Sequence, residues 1–317
     1  MHKVLEKRLK RIGWQHKQSL YEPVFDGYSC LAEVKKPKIT VIVISWKWNP
    51  LTLKNFQELE KQRKDVRFEL IFVNNGAEES DFADLKPYVN KWINLNENTG
   101  AYLARNVGAV FADGPILLFL EDDGVPANDL IKSHLKVHAQ YYLHVLRGVY
   151  QSTEPENKKK NRPHYYLGDG TFPMYADVEG NTTYRCQPFY AIGGWDDNIK
   201  FGGGGIDISL RLFLKYRDKR LQAYSGLPVI VHDYSKSDAH LQAKRAKQKK
   251  SREKFAHKYP YYEDYLKSWK DFMWNYTCLI PNNFIGGIRF KTMYRVRMVK
   301  DFWIGGNSLR SKAFTLF

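Results

Sequence analysis

Two kinds of hydrophobic pattern alternate along the first half of the chain. Continuous apolar runs rich in β-branched residues predict strands that are buried on both faces. Segments whose apolar positions recur about every 3.6 residues predict the helices between them. This alternation predicts right-handed crossovers and an α/β fold with a mainly parallel sheet. The predicted strands are KITVIVISW (38–46), FELIFVNN (68–75), KWINLNEN (91–98) and PILLFLEDD (115–123), and the predicted helices are LTLKNFQELEKQ (51–62) and AYLARNVGAVFA (101–112).

The second half continues this pattern less regularly. LPVIVHDYS (227–235) predicts one more buried strand, and the glycine run of FGGGGIDISLRLF (201–213) leads into a predicted helix. The polar segment 151–166 predicts a loop. We therefore divide the chain into a basic N-terminal extension (1–37), an α/β domain (38–235) and a basic, aromatic-rich helical C-terminal region (236–317).

Polar side chains stand where the predicted strands end. In parallel sheets ligands bind at the carboxyl ends of the strands, so these residues are the first candidates for a functional site. They are Trp46, Asn74, Asn75, Glu121, Asp122, Asp123 and His232.

The segment FLEDDGVP (119–126) holds the strongest chemical signal. Its three adjacent carboxylates repel one another unless a cation or a set of hydrogen-bond donors neutralises them. A Mg²⁺ or Mn²⁺ ion that also binds a diphosphate would do so, and an added imidazole from His232 favours Mn²⁺. The alternatives are a solvated strand end with capping acids and a structural histidine.

The segment NTGAYLARNVG (98–108) places Arg105 in the first turns of a predicted helix. A guanidinium there can bind the phosphate or base of a nucleotide. The alternative is an exposed helix arginine without a ligand.

The order of these motifs resembles the inverting family 2 glycosyltransferases with the GT-A fold. TVIVISW, FVNNG, NTGAYLARNVG, FLEDDGVP, GGWDD, GGGGIDISLRL and VIVHDY follow one another as in that family, over about residues 38–235. The resemblance implies a nucleotide-sugar donor, usually a UDP-sugar, a divalent metal, and a hydroxyl acceptor on a glycan or a lipid-linked glycan.

The resemblance also assigns roles to single residues. Ile44, Trp46, Asn74 and Asn75 would contact the base, although the family usually has an aspartate in place of one asparagine. Arg105 matches the arginine of the ARN pattern. Glu121, Asp122 and Asp123 match the DxD position, with Asp122 on the ribose and Asp123 on the metal. His232 would complete the metal site.

The catalytic base is where the sequence departs from the family. Gly204 and Gly205 stand where an acidic pair is usual, and Asp207 alone remains of the acidic group. Asp207 is therefore one candidate, with helix capping as its alternative role. Asp196 and Asp197 of GGWDD are others, and loss of the base is a further possibility.

The same region would bind the acceptor. Trp195 offers an aromatic platform for a sugar ring, with a place in the core as its alternative. Asp196 would face the acceptor as well. Gly204 would let the backbone approach the sugars closely, because a side chain there would block them.

Composition narrows the classes of function. The 317 residues include 43% hydrophobic residues, which is typical of a globular protein, and a net charge of +16, which favours an anionic partner. No signal peptide or run of about 18 apolar residues occurs, and the three cysteines form no close pair. These features predict a cytoplasmic protein whose basic segments 241–260 and 285–303 could contact the inner face of an anionic membrane.

Two other classes of function remain as alternatives. A non-catalytic relative that binds nucleotides or sugars would explain the missing acidic pair. A nucleic-acid-binding protein would explain the charge, but it leaves the acids at the strand ends without a role and shows no compact nucleic-acid motif. The sequence therefore favours an enzyme, without a nucleic-acid partner.

Overall fold

The computed structural model describes residues 2–153, 165–200, 202–232, 253–274, 279, 280 and 282. One sheet of ten strands runs through this part of the chain. The strands are β1 (Phe25–Cys30), β2 (Ile39–Ser45), β3 (Phe68–Asn75), β4 (Lys91–Leu95), β5 (Ile116–Leu120), β6 (Gly124–Pro126), β7 (Val145–Ser152), β8 (Thr171–Pro173), β9 (Thr182–Arg185) and β10 (Gln222–His232).

The strand order is β1-β4-β3-β2-β5-β9-β7-β10-β6, and β8 pairs with β10. The four strands β4, β3, β2 and β5 are parallel, as the apolar runs predict, and β10 is parallel to β7. The other pairings are antiparallel. The α/β prediction is thus confirmed, and the sheet is mixed. The sequence did not predict the antiparallel strands β6, β8 and β9, because they have only three or four residues each, too few to show a hydrophobic period.

Helices flank the sheet. The α-helices are α1 (His2–Ile12), α2 (Gln18–Tyr21), α3 (Pro50–Lys61), α4 (Ala101–Val110), α5 (Leu130–Gln140), α6 (Cys186–Ala191), α7 (Gly204–Tyr216) and α8 (Tyr262–Trp274), and residues 253–258 are also helical. Four 3-10 segments (Gln15–Lys17, Gln62–Lys64, Glu79–Tyr88 and Lys219–Leu221) complete the list. The start of α3 is well defined for two reasons. The Asn49 side chain accepts a hydrogen bond from the Leu51 amide at 2.9 Å, and Pro50 occupies the first helical position.

Apolar layers cover both faces of the sheet. Each strand contributes to both layers, because its successive side chains point to opposite faces. In β2, Ile42 packs into the apolar layer that contains α4. Its neighbours Val41 and Val43 pack into the opposite layer, with Phe56 and Leu59 of α3. A third cluster joins α7 to residues 255–269 of the C-terminal region.

The N-terminal residues are part of this domain. Leu5 and Leu9 of α1 and the following Trp14 are buried in the same layer as α4. Arg8 and Arg11 pair with Asp113, and β1 forms the edge of the sheet beside β4. The segment predicted as an extension therefore contributes to the core.

Several predictions fall on residues outside the described part of the chain. These are most of the loop 151–166, the first residues of the basic segment 241–260, and the basic tail 285–303. Among the helices that are described, none combines the length and the apolar character that a bilayer crossing requires.

Candidate active site

The sheet brings the acids after β5 to the histidine that ends β10. β5 and β7 are both antiparallel to β9, and β10 is parallel to β7, so β5 and β10 end at the same edge. β6 follows the acids directly and pairs with β10, which places Gly124 opposite His232. Asp123, one residue earlier, is thereby held beside the imidazole.

Three of these side chains form a compact cluster. His232 Nε2 lies 3.1 Å from Asp123 Oδ1 and 3.7 Å from Glu121 Oε2. The three ligand atoms of Glu121, Asp123 and His232 all lie within 4.8 Å of one another. Two carboxylate oxygens and one imidazole nitrogen suit Mn²⁺. Asp123 and His232 are the predicted ligands, and the structure adds Glu121.

The electrostatics of this edge also favour a cation. Burial, followed by the charge of Asp123, raises the pKa of Glu121. Burial raises the pKa of Asp122 to about 6, and the charges of Asp123 and Glu121 add to the shift, against a hydrogen bond from Ser45. Since the crowded carboxylates disfavour their own ionised forms, a bound divalent cation would stabilise them.

Comparison with known proteins identifies the domain that carries Glu121 and Asp123. Residues 40–195, nearly half of the chain, match the family model described as "Glycosyl transferase family 2". This domain belongs to glycosyltransferase family 2. His232 lies beyond the matched residues, on a strand of the same sheet.

A curated relative is also named as a glycosyltransferase. The chain is 25% identical over 136 residues to the uncharacterized glycosyltransferase YfnE of Bacillus subtilis (strain 168), covering 39% of this chain and 35% of YfnE. It thus spans about a third of the length of that relative.

Two solved structures are also similar. The mannosyltransferase PcManGT from Pyrobaculum calidifontis, in complex with GDP-Man and Mn²⁺, has a TM-score of 0.50 at 17% identity, over 76% of this chain and 68% of that one. S. aureus TarS 1–349 has a TM-score of 0.48 at 16% identity, over 62% and 60% of the two chains. The likeness to PcManGT confirms the fold predicted from the motifs.

The other residues predicted for the nucleotide side of this glycosyltransferase domain lie near the same edge. Asp122 is not part of the cluster and accepts a hydrogen bond from Ser45 Oγ, at the end of β2, at 2.5 Å. Trp46, the next residue, is 61% exposed, whereas Ile44 packs partly into the core.

Asn74 and Asn75 are buried and already bonded within the protein. The Asn74 side chain holds the following turn through Ala77, at 2.8 and 3.0 Å. Asn75 accepts hydrogen bonds from the Thr99 amide and hydroxyl, both at 3.0 Å, and so fixes the loop before α4. Their contact with a base stays a prediction, and their visible role is to shape the two loops.

Arg105 is buried in α4, so the alternative of an exposed arginine is wrong. Its guanidinium carbon lies 5.5 Å from the Trp195 ring centre, and Nη1 lies 3.5 Å from Glu179 Oε2. Its Nε has no hydrogen-bond partner among the described residues. The Tyr102 hydroxyl donates to Glu179 Oε1, and burial together with the Glu179 charge raises the Tyr102 pKa well above its usual value. Arg105 and Tyr102 thus both position Glu179.

The prediction of Trp195 as a sugar platform does not agree with the structure. Trp195 is only 1% exposed, stacked at 5.4 Å on Tyr102 and in edge contact with Tyr184 and Phe119. A residue that stacks on a sugar needs an exposed ring face, which Trp195 lacks. Trp195 is therefore a core residue, the alternative that the sequence left open.

Asp207 is likewise misplaced for the predicted role of catalytic base. Its carboxylate is fully buried and pairs with Arg211 at 2.5 Å. Its other oxygen accepts from Lys258 and Tyr259, both at 3.1 Å. No side-chain hydrogen bond caps α7 either. With both oxygens engaged and no exposed surface, Asp207 cannot take a proton from an acceptor in this arrangement.

The two acids of GGWDD are also engaged in ion pairs. Asp196 accepts from Lys258 at 2.5 Å, and this pair together with a hydrogen bond from Asn198 lowers its pKa despite partial burial. Asp197 accepts from Lys17 at 2.5 Å and from Tyr21 at 2.9 Å. Asp197 thus ties the N-terminal residues to the domain, and neither acid is left open for an acceptor.

Other parts of the protein pack so closely on Gly204 and Gly205 that a side chain at either position would clash with them. A Cβ on Gly204 would lie 2.3 Å from the Tyr102 ring, and one on Gly205 would lie 3.0 Å from the backbone of Ala176 and Asp177. Gly204 is buried, so the predicted close approach is to Tyr102 and not to an acceptor sugar.

Sequence reasoning missed Glu179, which lies in the segment between β8 and β9. Nothing in its immediate sequence, ADVEGN (176–181), marks it as functional.

A cleft of about 890 Å³ lies elsewhere, between the end of α1 and α6. Its charged lining residues Arg11 and Asp113 pair with each other, and the Cys186 thiol contacts the Gly114 carbonyl at 2.9 Å. None of the residues at the carboxyl ends of β2, β3, β5 and β10 lines it. The Glu121–Asp123–His232 cluster is therefore the candidate active site.

Proposed function

We propose that this chain is a metal-dependent, inverting glycosyltransferase that moves a sugar from a nucleotide donor to a hydroxyl of a glycan or lipid-linked acceptor. The observation that carries the proposal is the Glu121–Asp123–His232 cluster at the ligand-binding edge of a family 2 domain. A Mn²⁺ or Mg²⁺ ion held there would neutralise the charge of the leaving diphosphate.

The surrounding residues would bind the rest of the donor. Trp46 offers its exposed ring to the base, and Asp122, beside Ser45, would bind the ribose. Arg105 is close enough to the cluster for its charge to lower the pKa of Glu121, against the larger effects of burial and Asp123. These contacts would orient the sugar so that the acceptor hydroxyl attacks from the face opposite the diphosphate.

The donor nucleotide is proposed to be uridine diphosphate, following the usual donor of the family. PcManGT is described in complex with GDP-Man and Mn²⁺, which makes a guanosine donor the alternative to compare. Thermal unfolding with Mn²⁺ and either UDP or GDP would compare them directly. We expect a shift with UDP that disappears when EDTA removes the ion.

Turnover would then be measured on a panel of UDP- and GDP-sugars without acceptor, since water can replace the acceptor in slow hydrolysis. Metal-dependent hydrolysis of one donor would support the proposed enzyme. Stabilisation by the nucleotide without hydrolysis of any donor would favour the second candidate, a non-catalytic binding relative. That candidate rests on one observation: Asp196, Asp197 and Asp207 are all held in ion pairs.

A further inference from the structure

Glu179 carries a carboxylate that is only partly used by the protein. Oε1 accepts hydrogen bonds from the Tyr102 hydroxyl and, at 3.2 Å, from the Gly204 amide. Oε2 has one contact among the described residues, the long approach of Arg105 Nη1 at 3.5 Å. The side chain is 21% exposed. One oxygen of Glu179 is thus fixed, and the other retains room for a further hydrogen-bond donor.

The backbone next to Glu179 packs directly on the predicted metal cluster. A Cβ on the neighbouring Gly180 would lie 2.7 Å from Cγ of Glu121. On its other side, Glu179 meets the first residue of α7 through the Gly204 amide. Glu179 therefore lies between the metal cluster and α7.

The other candidate acids differ from Glu179 in their partners. Asp197 and Asp207 each have a lysine or arginine within 2.5 Å and further donors on the second oxygen. Asp196 has Lys258 at 2.5 Å and two contacts from Asn198. Their oxygens are committed to contacts that hold separate segments together, whereas Oε2 of Glu179 has only its long contact with Arg105.

We propose that Glu179 is the catalytic base of this enzyme, an inference that rests on the proposed glycosyltransferase function. Oε2 of Glu179 takes the proton of the acceptor hydroxyl. At the same time, the oxygen of that hydroxyl forms a bond to the anomeric carbon of the donor sugar. The bond from that carbon to the diphosphate breaks, and the nucleoside diphosphate leaves with the electron pair. Glu179 then releases the proton to solvent, so that the carboxylate is restored.

Tyr102 explains how the chain holds this carboxylate in place. Its ring fills the space where a side chain at position 204 would lie, and its hydroxyl both donates to Glu179 and accepts from the Gly204 amide at 3.0 Å. The glycine thus admits the tyrosine, and the tyrosine orients the glutamate.

The test compares Glu179→Gln, Glu179→Ala and the exposed control Glu6→Gln in acceptor-free hydrolysis of the UDP- and GDP-sugar panel. Glutamine keeps an oxygen for Tyr102 and Gly204 but cannot take a proton. We expect Glu179→Gln to lower kcat by about 10²- to 10⁴-fold. Mn²⁺-dependent binding of UDP, measured by calorimetry, should stay within about twofold of wild type, because the base does not hold the nucleotide. Glu6→Gln should match wild type in both measurements.

A second measurement separates chemistry from folding. Sodium formate, a small carboxylate, should restore part of the hydrolysis by Glu179→Ala and leave Glu6→Gln unchanged. Wild-type kcat in Glu179→Gln, or absence of rescue in a folded Glu179→Ala, would overturn this inference while the proposed function stands. Absence of hydrolysis of any donor by the wild-type protein would contradict both.

Discussion

His232 Nε2 lies 3.1 Å from Asp123 Oδ1, although 109 positions separate the two residues in the chain. The short strand β6 explains the contact, because it follows Asp123 directly and pairs Gly124 with His232. Glu121 completes the group from the end of β5. The cluster is therefore assembled by strand pairing, which brings the turn between β5 and β6 beside the end of β10.

Asp123→Ala should abolish the metal-dependent stabilisation by nucleotide, because it removes one of three ligand groups. A ligand at a hundred times its Kd stabilises a folded protein by about 2.7 kcal/mol, and this increment should vanish in the variant. Thermal unfolding with Mn²⁺ and UDP measures it. Asp84→Ala, at an exposed position, is the control and should keep the wild-type shift. An unchanged shift in Asp123→Ala would place the ion elsewhere.

Gly204→Ala should destabilise the protein by about 1–3 kcal/mol, since the new methyl group must displace a buried tyrosine ring. The ideal Cβ lies 2.3 Å from Tyr102 Cε1, too close for any real contact. Urea unfolding would measure the loss. Gly170→Ala is a matched control, because its Cβ would meet only the Phe172 ring at an ordinary 3.8 Å. Equal stability of the two variants would show that Tyr102 moves freely.

The central strands and their polar ends could be predicted because both follow from local patterns. The apolar runs KITVIVISW and FELIFVNN are long enough to predict buried strands. The observed strands β2 and β3 lie within these two segments. The rule that ligands bind at the carboxyl ends of parallel strands then pointed to Asp123 and His232. No knowledge of the tertiary contacts was needed for these steps.

The partners of single side chains could not be predicted in the same way. Lys258 neutralises Asp196 and Asp207 from a part of the chain more than fifty residues away, and Glu179 meets Arg105 across 74 positions. A sequence pattern shows that Asp207 lies in the first turn of an amphipathic helix, but not that a lysine and an arginine contact it. Strands as short as β6 and β9 likewise form only because longer neighbours offer them an edge.

His134→Gln should reveal a buried histidine that makes stability depend on pH. Burial lowers the pKa of His134 to about 4, against a value near 6.5 in the unfolded chain. The unfolded state therefore binds more protons between these values, so the stability that neutral His134 contributes is complete above about pH 6.5 and is lost as the pH falls towards 4. The stability difference between wild type and His134→Gln should shrink by about 1 kcal/mol from pH 7.5 to 5.5.

Urea unfolding of both proteins at the two pH values measures this change. Comparing variants cancels the opposite effect of carboxyls with raised pKa values, such as Asp122 and Asp177. His16→Gln, at an exposed position, is the control for replacing a histidine by glutamine at the surface. A constant difference for His134→Gln between the two pH values would mean that His134 is already protonated in the folded state at pH 5.5.

Asp207→Asn should act mainly on stability. The fully buried carboxylate pairs with Arg211 and Lys258, so the amide would leave two cations without their shared partner. Breaking such a pair costs about 2–4 kcal/mol, and the partial exposure of Lys258 favours the lower end. Urea unfolding of Asp207→Asn beside the exposed control Asp65→Asn would measure the loss.

Hydrolysis of the donor at a temperature where Asp207→Asn is folded tests the other possible role of this acid. Because Asp207 has no exposed surface and both its oxygens are bonded, kcat should fall far less than the hundredfold loss typical of a missing base. A hundredfold loss of kcat at unchanged unfolding free energy would instead mean that Lys258 and Arg211 release Asp207 when donor and acceptor bind. Asp207 would then be the base, and Glu179 would only position the start of α7.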